Sequence, residues 1–275
     1  MDFMRQHRLN DAILNIDYEN THITLPEKID HNLTIDFGEM EKKVYDIIQN
    51  KTAGVFSDVI CGDDEFSSVF GLFTRLRQCC IAPYLITTES KRERKNIKEE
   101  KQSTDIILKD LKEKSIREWL LDKDGEAGIH SAKMKQIIKI IKEIPSDEKI
   151  LIFSSYTSVL DLLAYACKKL LKNFKFSQMD GDTQICERET IIQNFKENDN
   201  IRCLFMTYKV GSEGLNLTNA NHVICIEQWW TPTITKQAIT RCYRPGQEKE
   251  VHVYNIFVKD SIEERVNKVC SSKQE

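Results

Sequence analysis

Apolar positions recur with two different periods along this chain, and the change of period divides it. His31-Asn32-Leu33-Thr34-Ile35-Asp36-Phe37 alternates apolar with polar, which predicts a half-buried strand closed by Gly38. Glu39 to Asn50 then places Val44, Ile47 and Ile48 on one helical face. Phe66, Val69, Phe70, Phe73, Leu76 and Cys80 recur at steps of three and four, predicting a helix that Pro83 stops. From Glu89 to about Lys114 charge dominates with mixed sign, which predicts an exposed helix or linker. Its basic cluster, Lys91, Arg92, Arg94 and Lys95, is offset by Glu89, Glu93, Glu99 and Glu100 and reads as a solvated face.

Beyond Ser131 short apolar runs alternate with helical patterns. Met134, Ile137, Ile138, Ile141 and Ile144 define an amphipathic helix, and Ile150-Leu151-Ile152-Phe153 a strand. Val159 to Leu171 is helical, Phe174 to Met179 a strand, Ile185 to Phe195 helical, and Cys203 to Met206 a buried strand. Val223 to Ile226 is another strand, followed by a helix with Thr231 as N-cap and Pro232 in its first turn. Val251, Val253 and Ile256 to Val258 make a further strand, and Asp260 or Ser261 caps a last helix carrying Ile262, Val266 and Val269. Strands alternating with helices mean βαβ units, hence an α/β fold: a doubly wound parallel sheet with helices on both faces. The chain divides into a mostly helical region at 1–88, a charged linker or exposed helix at 89–130, and an α/β domain at 131–275.

Composition narrows the class. The 275 residues suffice for one large domain or two small ones, and 40% hydrophobic with 30% charged residues is ordinary for a globular protein. No apolar run approaches the roughly 20 residues of a membrane span, and the amino terminus does not open like a signal peptide. A net charge of −3 excludes a general polycation, so any nucleic-acid contact rests on locally placed groups. Nine cysteines with no C-x-x-C pair offer neither a disulfide framework nor a zinc site of usual spacing, and no metal ligands are expected. Buried thiols in a reducing, intracellular compartment are the expectation.

Ligands of an open parallel sheet sit at the carboxyl ends of its strands. Four segments fall there or close by. Phe153-Ser154-Ser155-Tyr156-Thr157-Ser158 offers hydroxyls: either Ser155 and Thr157 cap the helix, or the cluster, with free amides, holds a phosphate. Asp180-Gly181-Asp182-Thr183 precedes Arg188 and reads by itself as a turn with Thr183 as N-cap. Thr207-Tyr208-Lys209-Val210-Gly211-Ser212-Glu213-Gly214-Leu215-Asn216-Leu217 has two glycines that permit close backbone approach, but it is no P-loop. Gln237, Arg241 and Arg244 lie at steps of four and three, so one helical face is expected to present an amide and two guanidiniums. Planar, permanently charged forks suit phosphate oxygens.

Together these segments resemble the C-terminal RecA-like lobe of superfamily 2 helicase-like ATPases, in the SWI/SNF-type branch of double-stranded DNA translocases. Lys149 to Ser154 is similar to motif IV, and Gly181-Asp182-Thr183 with Arg188 and Phe195 to the segment that follows it. Gly211 to Leu217 with Ala220-Asn221 looks like motif V, and Gln237-Ala238, Arg241, Arg244 and Gly246-Gln247 like motif VI. The match covers about 131–270 closely. Earlier, Leu25-Pro26, Glu41 and Leu76-Arg77-Gln78-Cys79-Cys80 with Pro83 resemble the region joining the two lobes. Glu227-Gln228-Trp229-Trp230-Thr231-Pro232 departs from the family's D-x-x-W-N-P at the threonine, and Ala82 stands where histidine is frequent.

The resemblance implies Arg244 as arginine finger, Arg241 beside it and Gln237 positioning. Gly211, Gly214 and Asn216 would couple nucleotide state to the track. Ser154, Thr183, Arg188, Thr207 and Lys209 would hold phosphates of one DNA strand, and Trp230 would lie in the core or wedge against the duplex. It implies ATP and Mg as cofactors, bound mainly by a first lobe. This sequence has no G-x-x-x-x-G-K-[ST] and no D-E-x-H, so the chain alone is expected to be inactive. The implied partners are double-stranded DNA, the N-terminal ATPase lobe of the same protein, and chromatin or transcription proteins, with no membrane. The lysine-, isoleucine- and asparagine-leaning composition points to an AT-rich source, so a nucleus or, for a large DNA virus, a cytoplasmic factory is expected. The alternatives are a docking module that has lost catalysis and a Rossmann-type small-molecule enzyme, which would need a G-x-G-x-x-G that Phe153-Ser154-Ser155 does not supply.

Overall fold

A computed structural model of the chain describes residues 25–61, 66–87, 114–122, 127–211 and 214–272. The charged stretch from 89 to 113, with its Lys91–Lys95 cluster, and Ser212 and Glu213 lie outside the described residues, as do the side chains of Phe66 and Val69.

Among the described residues, six parallel strands form one sheet, in the order β1-β6-β5-β2-β4-β3. The strands are β1 (Lys28–Ile35), β2 (Ile150–Ser154), β3 (Lys175–Met179), β4 (Ile201–Thr207), β5 (His222–Cys225) and β6 (Val251–Val258). The helices are α1 (Glu39–Cys61), α2 (Phe66–Ile81), α3 (Lys114–Leu121), α4 (Ala132–Glu143), α5 (Thr157–Leu170), α6 (Ile185–Glu197), α7 (Pro232–Ile239) and α8 (Ile262–Ser272). A 3-10 turn, Pro83–Ile86, follows α2, and a single helical turn, Tyr208–Gly211, follows β4.

Central strands read as unbroken apolar runs because both sheet faces are covered. Ile150, Ile152, Cys203, Phe205 and Ile224 point to one face, where they meet Met134, Ile137 and Ile141 of α4 and Val159, Leu160 and Leu163 of α5. Leu151, Phe153, Leu204, Met206, Val223 and Cys225 point to the other, against Phe195 of α6 and Ala238 of α7. The doubly wound α/β reading holds.

The strand expected at 31–37 forms at Lys28–Ile35, and all eight residues pair with β6, so it becomes an edge of the lobe's own sheet. Its alternating exposure follows from having helices on one side only. Beside that edge α1, α2 and α3 build a third cluster from Val44, Tyr45, Ile48, Leu72, Leu76, Cys79, Cys80, Ile116 and Leu120, joined to the sheet through Val258. Polar side chains seal the junction. Glu41 accepts the Gly38 amide (2.6 Å) and the Ala132 amide (2.9 Å), and Ser131 caps α4 while donating to the Ile81 carbonyl (2.8 Å).

Among the described residues, all cysteines except Cys186 are buried. Burial pushes Cys167, Cys225 and Cys242 up to about 12, so these thiols stay protonated and serve as small apolar groups. No helix among the described residues is long and apolar enough to cross a membrane.

Candidate functional site

Because every strand runs the same way, the carboxyl ends of β5, β2, β4 and β3 form one continuous edge in that order. Ser154 stands opposite Thr207 in register, and Phe153 opposite Cys225. Ser154, Thr207, Lys209, Thr183 and Trp230 thus come from four adjacent strand ends or the loops that follow them.

Their individual environments differ. Thr207 is buried, and its hydroxyl has no hydrogen-bond partner among the described residues. Lys209 is exposed, and Trp230 keeps 45% of its surface exposed. Ser154 departs from expectation. Its side chain is wholly buried and its hydroxyl donates to both oxygens of Glu227 (3.2 and 3.1 Å), so it orients a neighbouring loop and offers nothing to a ligand. The reason is position: β2 is central and covered on both sides. The amide of Ser155 donates to the same carboxylate, and the Tyr156 amide donates to Ser154 Oγ (3.1 Å).

The capping expectations also shift. α5 starts at Thr157 with Tyr156 as N-cap and no side-chain cap. Thr183 is not the cap of α6; Gln184 is, while Thr183 Oγ1 accepts the Asp180 amide (3.0 Å) and the Thr183 carbonyl accepts Arg188 Nε (2.9 Å). Thr231 precedes Pro232 as foreseen but makes no side-chain capping bond. At the carboxyl end of the molecule Ser261 caps α8, accepting the Glu263 amide (3.1 Å). Lys149, read as the start of motif IV, closes the end of α6 by donating to the carbonyls of Phe195 and Asn198.

A second assembly lies where the loop after Gly211 meets the turn after α7. The helix expected to carry Gln237, Arg241 and Arg244 on one face ends at Ile239, with Thr240 as C-cap. Both arginines therefore stand on the turns that follow, and Gly246 at φ +97 bends the chain after them. The Gln237 carbonyl accepts Arg241 Nε (3.0 Å). Arg244 donates to the Leu215 carbonyl (3.4 Å), and no carboxylate pairs with it among the described residues. Burial, then the nearby Arg244 charge, lower the pKa of Arg241. Two cations brought within repulsive reach make a donor set that fits an anion such as a polyphosphate.

Gln247 ties this assembly together. Its amide nitrogen donates to the carbonyls of Ala220 (2.8 Å), Thr218 (3.0 Å) and Cys242 (3.2 Å), while its oxygen accepts the amides of Glu248 and Lys249. The Leu217 amide adds a bond to the Arg241 carbonyl (2.9 Å). Gly211 answers a packing demand, since a Cβ there would meet the Phe153 ring at 2.6 Å. Gly214 takes φ +50, and Asn216 is exposed.

Several residues of the strand-end edge escape sequence reasoning. Arg77 of α2 donates to the Gln228 carbonyl (2.5 Å), and Tyr208 Oη to the Glu227 carbonyl (2.7 Å). Lys133 of α4, entirely buried, pairs with Glu263 of α8 (2.5 Å) and donates to the Ile226 carbonyl (3.0 Å). Burial raises the pKa of Glu227, and the Arg77 charge opposes that rise. One signal was available: Lys133 shares the stripe of Ile137 and Ile141, and Arg77 that of Phe73 and Cys80. A charge on an apolar stripe announces a buried partner without naming it.

The helicase conserved C-terminal domain family matches residues 132–246. Protein 172L of Invertebrate iridescent virus 6 is 38% identical over 310 residues, covering 98% of this chain and 48% of the viral protein. ATP-dependent helicase FUN30 of Saccharomyces cerevisiae is 38% identical over 147 residues, which is 53% of this chain and 13% of the yeast protein. The chain thus spans about half the length of one curated relative and a small part of the other. Among solved structures, the C-terminal part of the Fun30 ATPase domain superposes with a TM-score of 0.69 at 27% identity, covering 90% of both chains. The Sulfolobus solfataricus SWI2/SNF2 ATPase core in complex with double-stranded DNA shares the fold, with a TM-score of 0.62 at 22% identity over 90% of this chain and 45% of that one.

Proposed function

From the premise that the chain carries the helicase C-terminal lobe of the SWI/SNF-type ATPases, we propose that it is the second lobe of an ATP-driven translocase on double-stranded DNA. The observation that carries this reading is the pair Arg241 and Arg244, whose guanidiniums rest on the Gln237 and Leu215 carbonyls beside a turn that Gln247 braces. Arg244 has no carboxylate partner among the described residues, so its planar guanidinium suits a phosphate. Arg244 acts as the arginine finger toward the terminal phosphate of a nucleotide on the first lobe, Arg241 supports it, and Gln237 positions Arg241 through its carbonyl. ATP with Mg, held mainly by that first lobe, supplies the phosphoryl group.

Along the strand-end edge Thr183, Arg188, Thr207 and Lys209 grip phosphates of one strand, and Trp230 lies against the duplex. Such contacts position without reading sequence, which suits a near-neutral body with local donors. Gly211, Gly214 and Asn216 lie on the segment between this edge and the arginine turn, so a change at one is felt at the other. Chromatin or transcription proteins are the proposed further partners, in a nucleus or a viral factory. A docking module without catalysis has no use for paired arginines, and nothing in the geometry favours it.

The test is the ATPase of the whole protein, with its first lobe, measured with and without double-stranded DNA. Stimulation by duplex DNA that weakens as salt rises is expected; ATP turnover indifferent to DNA would overturn the reading.

A further inference from the structure

Three consecutive carbonyls, those of Ile226, Glu227 and Gln228, are each held by a buried donor from a different part of the chain. Lys133 of α4 takes the first (3.0 Å), Tyr208 after β4 the second (2.7 Å) and Arg77 of α2 the third (2.5 Å). The three donors are at most 4% exposed. Lys133 is balanced by Glu263, which also accepts the Val258 amide (3.0 Å), so α8 and β6 join the arrangement. A turn this close to a strand end gains order from its neighbours' bonds; here side chains fix its main chain one peptide after another. The segment runs directly into Trp229 and Trp230. Arg77 does double duty there: its guanidinium also lies over the Trp230 ring at 4.7 Å and near the Tyr156 ring at 5.8 Å.

We infer that Arg77 is a positioning residue that sets the pose of Trp230 from the joining region, with Tyr208 and Lys133 holding the preceding two peptides. A shift of α2 relative to the sheet would therefore move Trp230 without passing through the strands. The grip itself stands on geometry; what it does to DNA rests on the function proposed above.

Trp230 reports on this directly once Trp119→Phe and Trp229→Phe make it the sole tryptophan. Arg77→Met keeps the length and apolar stem but loses the donor and the flat cation. Trp230 emission is expected to shift to longer wavelength and its iodide quenching to rise, with cooperative unfolding retained. Arg77→Lys, which restores a donor but not the planar face, should recover part of the change. Unaltered emission and quenching in a folded Arg77→Met protein would overturn the inference. Should that variant not fold, Tyr208→Phe removes a single hydroxyl from the same segment; it should shift Trp230 in the same direction, and no shift overturns the inference equally. In the whole protein, Arg77→Met should lower DNA-stimulated turnover by about tenfold, the scale of one lost charge-assisted bond. A wild type without DNA stimulation would defeat the proposed function and leave the Trp230 measurement to decide the grip.

Discussion

The arginine turn and the tryptophan loop sit at the two ends of α7, and they are held in opposite ways. The turn at Arg241 and Arg244 is fixed from the same stretch of the lobe: the Gln237 carbonyl four residues back, the Cys242 carbonyl, and Gln247 reaching back 29 and 27 residues to Thr218 and Ala220. The loop at Glu227 to Trp230 is fixed by Arg77 and Lys133, 151 and 93 residues from their carbonyl partners, and by Tyr208 after β4. A locally built turn presents its charge wherever the lobe goes. A loop held from three elements registers how those elements are arranged. The first arrangement suits a group that must meet a nucleotide on another lobe, and the second a surface that changes with conformation.

The comparison breaks most sharply at Arg244. Arg244→Ala in the whole protein should lower ATP turnover by about 10³–10⁵-fold while the isolated lobe unfolds normally, because a finger acts on the transferring phosphate and not on the fold. Unchanged DNA-stimulated turnover would remove the finger assignment. On the loop side the penalty should fall on stability. Lys133→Ala strands the Glu263 carboxylate in the interior and should cost about 3–5 kcal/mol, read as a lower denaturant midpoint, whereas Lys133→Met with Glu263→Leu should recover part of that loss, the Ile226 carbonyl and the Val258 amide having lost these partners. If the double substitution is as damaging as the single one, the pair is more than a balanced charge.

Between the two regions, Gly211→Ala forces a methyl against Phe153, and about 1–3 kcal/mol of overpacking is expected, relieved in part by Phe153→Leu. Failure of that relief would show that Gly211 is needed for something besides room. The smallest effect belongs to the far end of the sheet, where His31, His252 and His222 stack across β1, β6 and β5. Burial lowers the pKa of His31 and of His222 from 6.5, and Glu148 opposes this at His222. The unfolded chain therefore takes up these protons first, so the stability they contribute is full above pH 6.5 and is lost as pH falls below it. Melting temperatures across that range should decline less steeply in His222→Asn; an unchanged slope would exclude His222 as a source.

Much of this was legible beforehand. Continuous apolar runs gave the parallel sheet covered on both faces, and the spacing of Gln237, Arg241 and Arg244 singled out the arginine segment. Regular spacing did not mean a regular helix: α7 ends at Ile239 with Thr240 as C-cap, and the arginines stand on the turns beyond it. Ser154 misled differently, because a hydroxyl at a strand end looks the same in sequence whether it faces a ligand or a buried Glu227. Arg77 and Lys133 could be noticed as charges on apolar stripes, yet their partners could not be named.

The sequence by itself determined the class of fold, the order of its elements and the residues of the arginine turn, since periodicity and short-range spacing are local properties of the chain. Tertiary structure alone decided that β1 completes the sheet, that Ser154 turns inward, and that Arg77, Tyr208 and Lys133 meet at three successive carbonyls. Those outcomes depend on which buried charges and hydroxyls find each other across the core, where an unpaired polar group is costly and its partner is selected by geometry rather than by distance along the chain.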